Sequence, residues 1–335
     1  MTGPGFSTRL GGLLGCSLAA AAALQAGQAQ ASESGASLYL LGSGGPGAAV
    51  TPPYKGLYFD NTGYFYDGGA SGSKPFVVGG KVVADLNAQV AADFATLLWV
   101  PTNHFLGGVL AVGAALPVGH ESVVASAFLT GPLGHQLSGA QSDSAWLVGD
   151  PIGTALVGWK SGNLSYQFST MLNVPIGEYR EGQIANLAFH RWAGDVAFAT
   201  TWHDDASGWD VSGKAGVTFN GTNTATQYTT GTELHLEGAI QKTFGKAIAI
   251  GVQAYYFDQL TSDSGAGAKL GPFKGQVVGF GATAAHTFML GKHPATLRVR
   301  GMTEFDARNR LEGNSAWLDL SFPLSMKLPA APSHD

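Results

Sequence analysis

The chain has 335 residues, of which 45% are hydrophobic and only 12% are charged, with 49 glycines and a net charge of −5. This composition argues against a disordered chain and against a helical bundle, and without a basic cluster nucleic acid is not an expected partner. The single cysteine, Cys16, excludes a disulfide framework and a cage of thiolate metal ligands.

The N-terminus has the three parts of an export signal. Arg9 supplies the positive charge, residues 10–24 ("LGGLLGCSLAAAAAL") supply an apolar core, and "AQA" at 29–31 is a small-residue cleavage site. The sequence therefore predicts a signal peptide over residues 1–31 and a mature chain that starts at Ser32. The alternative is a lipoprotein signal acylated at Cys16, although the apolar run continues well past this cysteine. Either route takes the mature protein out of the cytoplasm.

Residues 32–78 are predicted to lie outside any barrel wall. Residues 32–53 are small, rich in Gly and Pro and without periodicity, and an aromatic hairpin or extended piece follows at 54–66. Adding that piece to the wall would give an odd number of strands, whereas single-chain outer-membrane barrels have an even number. We therefore predict a periplasmic or plug-like segment over 32–78, a barrel over 79–326 and a C-terminal tail over 327–335.

From residue 80 to about residue 324, apolar and polar residues alternate with the period of two that is typical of β-strands. In "WDVSGKAGVTFN" (209–220), for example, the apolar side chains occupy the odd-numbered positions. Twelve such segments are present, and no crossover helix separates them. The predicted strands span residues 81–99, 104–117, 121–132, 147–159, 163–174, 187–203, 208–220, 230–243, 246–258, 273–290, 294–305 and 314–325.

The connections between these segments alternate between short and long. After residue 159, "KSGN", "DDASG", "FGK" and "LGKHP" are short, whereas "PIGEYREGQIAN", "GTNTATQYTTG", "QLTSDSGAGAKLG" and "DARNRLEG" are longer. Outer-membrane barrels have short periplasmic turns and longer outer loops. Only a turn near Pro101 is short where this scheme needs an outer loop. The fold class predicted is all-β, an antiparallel transmembrane β-barrel of about 12 strands in the bacterial outer membrane, with membrane lipid and the barrel assembly machinery as partners.

The polar faces of the strands indicate which side meets lipid. They carry both signs of charge at low density, whereas a soluble barrel should show many more lysines and glutamates on its solvent face. We therefore predict an apolar outer wall and a mixed-charge interior. The residues assigned to the interior are Asp85, Asp93, Lys214, Glu233, His235, Glu237, Arg298, Arg300, Glu304 and Asp319. Aromatic residues near strand ends are predicted to form interfacial girdles: Trp99, Trp159, Trp202, Trp209, Tyr228, Tyr255, Tyr256, Phe257 and Trp317.

The sequence offers no convincing catalytic, metal or cofactor motif. "GWDVSGKA" (208–215) lacks the hydroxyl residue of a phosphate-binding loop and lies in a strand. His203, Asp204 and Asp205 share a tight turn from which adjacent side chains diverge, and the "DQLTSDSG" loop lacks the acidic ladder of a calcium site. No GxSxG elbow is present. We therefore expect no enzyme activity, no cofactor and no metal.

Four motifs, in this order along the chain, carry a family resemblance: "GDPIGTALVGW" (149–159), "PIGEY" (175–179), "NTATQYTTGTE" (223–233) and "YYFDQLTSDSG" (255–265). Together they resemble the family called "MetA-pathway of phenol degradation", over about residues 80–326. The resemblance implies an outer-membrane barrel with a transport-like role in the uptake of aromatic or other hydrophobic compounds. The chain departs from the usual terminal aromatic of such barrels, because it continues past Phe322. The matching positions are Asn223, Thr226, Tyr228, Gly231, Glu233, Tyr255, Gln259, Thr261, Asp263 and Gly265.

The favoured function is a channel for passive uptake of small hydrophobic or aromatic solutes. The predicted substrate-binding residues are Tyr228, Glu233, His235, Tyr255, Tyr256 and Phe257, and those predicted to shape the outer loops are Asn223, Thr226, Gln259, Thr261 and Asp263. One alternative is a closed-lumen barrel with a structural or binding role. Another is an outer-membrane hydrolase, for which His235 between Glu233 and Glu237, near Lys214 on an adjacent strand, is the candidate group. A network of ion pairs in the lumen explains that cluster better than catalysis does.

Overall fold

The computed structural model of the chain describes residues 33–130, 136–245 and 247–327. The predicted signal peptide, the start at Ser32, acylation at Cys16 and tail residues 328–335 lie outside these ranges. In the described part, no helix has the length and apolar character needed to cross a membrane. The one helical element described is a short 3-10 turn at Glu33–Gly35.

The described chain is built almost entirely of antiparallel strands. They are β1 (Gly56–Val78), β2 (Lys81–Phe105), β3 (Gly108–Thr130), β4 (Gln136–Val148), β5 (Ile152–Ser161), β6 (Leu164–Asn173), β7 (Ala193–Asp204), β8 (Trp209–Asn220), β9 (Thr222–Asn223), β10 (Tyr228–Thr229), β11 (Glu233–Phe244), β12 (Ile248–Gln259), β13 (Gln276–Leu290), β14 (His293–Arg308) and β15 (Glu312–Met326). Strands β9 and β10 form a separate small ribbon, and the other thirteen form one sheet. The sheet closes into a barrel because β1 pairs with both β2 and β15 and β2 pairs with β3.

Strands β4 and β5 together occupy one position in the wall. Both strands pair with β3. Strand β4 pairs with residues 118–130 of β3, and β5 pairs with residues 109–115 of β3. The interruption between them falls at 149–151. The wall therefore has twelve strand positions, and the predicted twelve-stranded antiparallel barrel is confirmed.

The predicted number of strands is right although two assignments were wrong, because one wall strand was left out and another was counted as two. The piece at 54–66 is not outside the wall, since β1 pairs with β15 and β2 over most of its length. Its "DNTG" and "DGG" stretches have the composition of turns, yet Tyr64 and Tyr66 face the lumen while Phe65 between them faces outward. Residues 32–78 are therefore not one segment: those from 56 onward are wall.

The second error divided β3 into the predicted strands 104–117 and 121–132, with a break at 118–120 directly after Pro117. Pro117 lacks the N–H that a ladder needs, but it lies where pairing with β5 has ended and pairing with β4 has not begun. Its carbonyl accepts the Gly149 amide at 2.8 Å, so the strand continues through it. The chain does not turn at Pro101, because β2 continues to Phe105. The turn follows at 106–107 and lies at the same end of the barrel as the other short turns.

The predicted orientation of the two faces holds along most strands. On β11, Glu233, His235 and Glu237 are buried, whereas Leu236 and Ile240 are 40% and 48% exposed on the outside. An apolar exterior around a polar interior is the reverse of a soluble barrel and suits a lipid surround. Asp93 is an exception: it lies on the outer face, where the Asn61 side chain donates to it at 2.8 Å, because Ala92 and Phe94 occupy the inward positions of β2.

The aromatic girdle is only partly as predicted. Trp99, Trp202 and Trp209 are exposed on the outside of the wall near its short-turn end. Four other aromatics assigned to the girdle are buried instead: Tyr228, Tyr255, Phe257 and Trp317. On β12 the outward positions belong to Ile250, Val252 and Ala254, so the alternation turns Tyr255 and Phe257 inward.

Candidate functional site

Residues 33–55, here called the N-terminal segment, occupy the lumen of the barrel. Near the outer loops the Asn223 side chain donates to the Glu33 carboxylate at 3.0 Å. Further along, the Ala49 amide donates to Thr201 Oγ1 at 3.0 Å. At the other end the Lys327 amide donates to the Lys55 carbonyl at 2.9 Å, next to the start of β1. The segment therefore runs from the outer loops to the short-turn end of the barrel.

Glu237 holds the middle of the segment. Its carboxylate accepts the backbone N–H groups of Gly42 at 2.7 Å and Gly44 at 2.6 Å. Arg300 and Gln253 donate to the Gly42 carbonyl at 2.6 and 3.0 Å. Gly42 has a φ of +93°, and a Cβ on Gly44 would lie 2.7 Å from Tyr39 Oη. The glycines thus let the backbone approach the wall closely enough for its N–H groups to meet a carboxylate.

His235, one of the predicted substrate-binding residues, contacts this segment directly. Its ring stacks on Tyr39 with 3.5 Å between centroids and 8° between planes, and its Nε2 lies 2.9 Å from Asp195. The Lys214 ammonium lies 4.7 Å from the centroid of the same Tyr39 ring. Glu233, two residues before His235 on the same strand, accepts the Asn220 side chain at 3.2 Å.

Asp263 is the main acceptor among the residues predicted to shape the outer loops. The Asp263 carboxylate accepts the Tyr228 hydroxyl, the Gly231 amide at 3.0 Å and the Gln259 side chain. Thr261 accepts the Thr232 amide at 2.8 Å. Burial, reinforced by the Asp263 carboxylate, raises the pKa of the Tyr228 phenol, which therefore stays a donor. Asn223 belongs to β9 and Thr226 to the turn between β9 and β10 in the same loop region.

The predicted substrate-binding residues do not form one open site. Tyr228, Glu233, His235 and Phe257 are buried among protein groups, and the Arg310 guanidinium lies 4.2 Å from the Phe257 ring centroid. Tyr256 is on the opposite face of β12 from Tyr255. Of the six, Tyr255 alone contributes to the cavity described next.

A cavity of about 200 Å³ lies between the N-terminal segment and the inner faces of the first strands. For scale, a buried apolar cavity of about 150 Å³ holds a benzene molecule, so the space suits a solute with one aromatic ring. Its lining is mostly apolar and aromatic, as ligand pockets usually are. The lining includes Leu38, Leu40, Tyr64, Tyr66, Phe94, Pro117, Ile152, Leu187, Phe189 and Tyr255, with Glu33, Glu121, Asp150, Glu304, Arg191 and Arg310 as charged groups.

Glu304 fixes the aromatic side of this cavity. Its carboxylate accepts the hydroxyl groups of Tyr66 and Tyr255, both at 2.9 Å, and the Gly313 amide at 3.0 Å. Sequence reasoning placed Glu304 in the lumen but missed Tyr64, Tyr66 and Phe94. The alternation within "YFDNTGYFY" (58–66) was the available signal for the two tyrosines, and the turn-like residues within it obscured that signal.

Asp150 secures the loop that roofs the cavity, residues 174–192. It is buried, and it accepts the Asn173 side chain at 2.9 Å and the amides of Gly177, Phe189 and His190 at 2.9, 2.8 and 3.2 Å. Asp150 belongs to the "GDPIG" motif, whose role the sequence did not reveal.

An ion pair joins this roof to the N-terminal segment. Arg191 lies 3.8 Å from Glu33, and both side chains are buried. Burial raises the pKa of the Glu33 carboxyl, and the nearby Arg191 and Asn223 oppose that rise without cancelling it.

No metal site emerges among the residues that the structure describes, where no three His, Cys, Asp or Glu side chains are grouped closely enough to hold an ion. His203 instead lies 3.2 Å from Asp205 and 3.5 Å from Asp210 at the end of β7.

Comparison with known proteins agrees with this architecture. The family model described as "Putative MetA-pathway of phenol degradation" matches residues 72–320. The crystal structure of the COG4313 outer membrane channel from Pseudomonas putida F1 superposes with a TM-score of 0.61 at 15% identity, covering 82% of this chain and 98% of that one. The beta domain of the Bordetella autotransporter BrkA superposes with a TM-score of 0.49 at 12% identity, covering 81% of this chain and 100% of that one. No curated protein matches the chain.

The exterior chemistry and the shared fold together fix the location of the chain. A closed barrel with an apolar outer wall matches an outer-membrane barrel over nearly the whole of that protein. The chain is therefore a protein of the bacterial outer membrane.

Proposed function

Because the chain belongs to the MetA-pathway phenol-degradation family, we propose that it is an outer-membrane channel for passive uptake of small hydrophobic or aromatic compounds, and not an enzyme. The observation that carries this proposal is the cavity of about 200 Å³ inside the barrel, walled by Tyr64, Tyr66, Phe94 and Tyr255. A polar lumen alone would offer an apolar solute no favourable binding site. This cavity provides an apolar site next to the outer loops.

Under this proposal five of the six predicted binding residues fall into two groups, and Tyr256, on the opposite face of β12 from Tyr255, belongs to neither. Tyr255 contacts the solute from the cavity wall. Tyr228, Glu233, His235 and Phe257 act indirectly, because their contacts hold the outer loops and the N-terminal segment in place.

The N-terminal segment acts as the plug of this channel. It fills the lumen below the cavity and is bonded to the wall at Thr201, Glu237, Gln253 and Arg300. Solute movement toward the periplasm therefore requires the segment to shift. The same filled lumen favours the second candidate, a closed barrel that binds a solute without passing it.

Uptake measurements with cavity-filling variants test the channel. A strain lacking the gene should take up radiolabelled toluene more slowly than wild type at micromolar supply. Wild-type protein should restore the rate, whereas Ala92→Phe, which places a ring in the cavity, should not. Ala95→Phe on the outer face of the same strand is the matched control and should restore uptake. Equal rates in the deletion strain and wild type would refute the channel, and binding of toluene without any uptake defect would favour the closed barrel.

A further inference from the structure

Asp93 interrupts the apolar outer wall of the barrel at the middle of β2. It is exposed on the face of that strand which also carries Ala95, Leu97 and Trp99. Trp99 follows Asp93 by six positions, which is about 20 Å along a strand and about 15 Å in height for a strand tilted by about 40°. Trp99 lies near the short-turn end, and the apolar band of such barrels is about 25 Å tall. The Asp93 carboxylate therefore faces lipid in the outer half of the band.

The wall around Asp93 is apolar both above and below it. Toward the outer loops the wall carries Phe65, and toward the short turns it carries Leu97, both of them exposed. Lys242 and Asp258, by contrast, lie on the outer face at the ends of their strands, close to water. An ionisable side chain that faces lipid is costly, and such side chains usually pair with a polar group. The position of Asp93 therefore indicates a contact with a polar partner.

The hydrogen bond that Asp93 makes within its own chain leaves room for such a partner. The Asn61 side chain donates to Asp93 at 2.8 Å. A carboxylate can accept about four hydrogen bonds and an amide group can donate two, so this bond exhausts neither side chain. Membrane lipid is a poor partner, because acyl chains carry no donor and anionic head groups repel a carboxylate. A protein surface with N–H donors at the same depth fits better.

Small residues next to Asp93 allow a second wall to approach closely. Gly63 lies directly opposite Asp93 in the ladder of β1 and β2, and Ala91 and Ala95 flank Asp93 on the outer face of β2. A Cβ at Gly63 would meet no atom of the described chain closer than 3.6 Å, so packing within one copy does not require glycine there. Small residues at contacts between membrane proteins let two backbones come together.

We propose that the surface formed by Asn61, Gly63 and Asp93, here called the Asp93 face, binds a second copy of the chain in the outer membrane. The face carries both a donor and an acceptor, as a two-fold contact needs, because the same patch meets itself. With the axis near Gly63, the Asn61 amide of each copy donates to the Asp93 carboxylate of the other, and the two carboxylates lie on opposite sides of the axis. Phe65 and Leu97 of each copy pack around these bonds. The dimer does not depend on what the lumen transports.

Disulfide cross-linking of the full-length protein in native outer membranes tests the contact. Gly63→Cys should give a cross-linked dimer after mild oxidation. Gly238→Cys is the matched control and should stay monomeric. Gly238 is also an outer-face glycine whose added Cβ would meet no described atom closer than 3.9 Å, but it lies on β11, on the far side of the barrel from β1. Cys16 is present in both variants and so does not affect the comparison.

Substitution of Asp93 tests its part in the contact. Energy transfer between labelled copies in lipid vesicles measures the association constant, which should fall about tenfold in Asp93→Leu because two symmetry-related hydrogen bonds are lost. Asp93→Asn keeps an acceptor oxygen and should lower the constant by about threefold. The folded barrel should lose no stability in urea titrations of Asp93→Leu, since leucine suits a lipid-facing position better than a carboxylate does. A residue that served only the fold would instead change stability and leave association as it was.

Several results would overturn the proposal. They are a Gly63→Cys variant that yields no dimer, a Gly238→Cys variant that cross-links equally well, and a cross-linked band that contains a different protein. Asp93→Leu that associates as tightly as wild type also overturns it, because the carboxylate would then have no part in the contact. The heat-dependent electrophoretic shift of folded barrels checks each variant, and Asp93→Asn carries the test if the leucine variant does not fold.

Discussion

Replacing Glu237 with alanine should release the plug. The Glu237 carboxylate is the partner of two backbone N–H groups of the N-terminal segment, at 2.7 and 2.6 Å. Glu237→Ala leaves both donors in a buried place without an acceptor, which costs about 1–3 kcal/mol for each. Allowing for partial relaxation, we expect about 2–4 kcal/mol in total, which corresponds to a rise of about 30-fold to about 1,000-fold in the equilibrium between released and docked segment.

Planar-bilayer recordings measure that equilibrium directly. A variant lacking residues 33–50 defines the conductance of the unplugged barrel, and Glu237→Ala should spend at least about 30 times longer in that state than wild type does. Gln241→Ala is the matched control, because Gln241 points inward from the same strand but bonds to Arg298 at 2.9 Å and not to the segment. The reasoning is refuted if the deletion variant conducts and Glu237→Ala remains as closed as wild type. A deletion variant that conducts no better than wild type would show that something other than the segment closes the lumen.

Three further predictions concern the roof, the top of the plug and the wall. Asp150→Ala removes the acceptor of four donors, so the 174–192 loop should be cut by added protease at least tenfold faster, while heat modifiability of the barrel persists. The pKa of Glu33 is raised above its ordinary 4.5, so its docked form binds a proton more tightly than its released form. Docking of the segment's outer end should therefore be strongest below about pH 4.5 and should weaken as the pH rises through the raised pKa of Glu33. The weakening should be measurable as faster hydrogen exchange near Glu33. Glu33→Gln should remove this pH dependence. Ile240→Lys places a charge on the lipid face and should destabilise the folded barrel by about 2–4 kcal/mol in urea titrations in lipid vesicles, whereas Ile240→Leu should change it little.

The period-two pattern predicted most of the wall because every strand residue faces either lipid or lumen. Where the pattern was uninterrupted, as in 209–220, both the strand and its inward face followed from the sequence. The failures occurred where residue type and local geometry disagree. Turn-forming residues lie inside β1, and Pro117 lies inside β3 between its pairing with β5 and its pairing with β4, where a missing N–H breaks no ladder bond. Their tolerance depends on neighbouring strands that a single sequence does not reveal.

The site was much less accessible to sequence reasoning than the wall. Tyr255 was selected for its aromatic ring, but its hydroxyl bonds to Glu304, 49 residues further along the chain. Glu237 was identified as a lumen charge, yet its partners are Gly42 and Gly44, 195 and 193 residues away. Such contacts depend on closure of the barrel and on the path of the N-terminal segment through it. Neither feature leaves a periodic signal in the sequence.

The N-terminal segment also changes how the charged interior should be understood. In an open channel, a charged lumen would face water and steer polar solutes. Here Glu237 and Arg300 bond to the backbone of the segment, and Lys214 and His235 flank its Tyr39 ring. The main role of these groups is therefore to hold the N-terminal segment, because a backbone segment inside a barrel needs partners for its N–H and C=O groups. Selection of the solute is left to the cavity above, where apolar walls dominate. It follows that deleting residues 33–50 should raise the conductance to small ions, because the backbone held by Glu237 and Arg300 then no longer occupies the lumen.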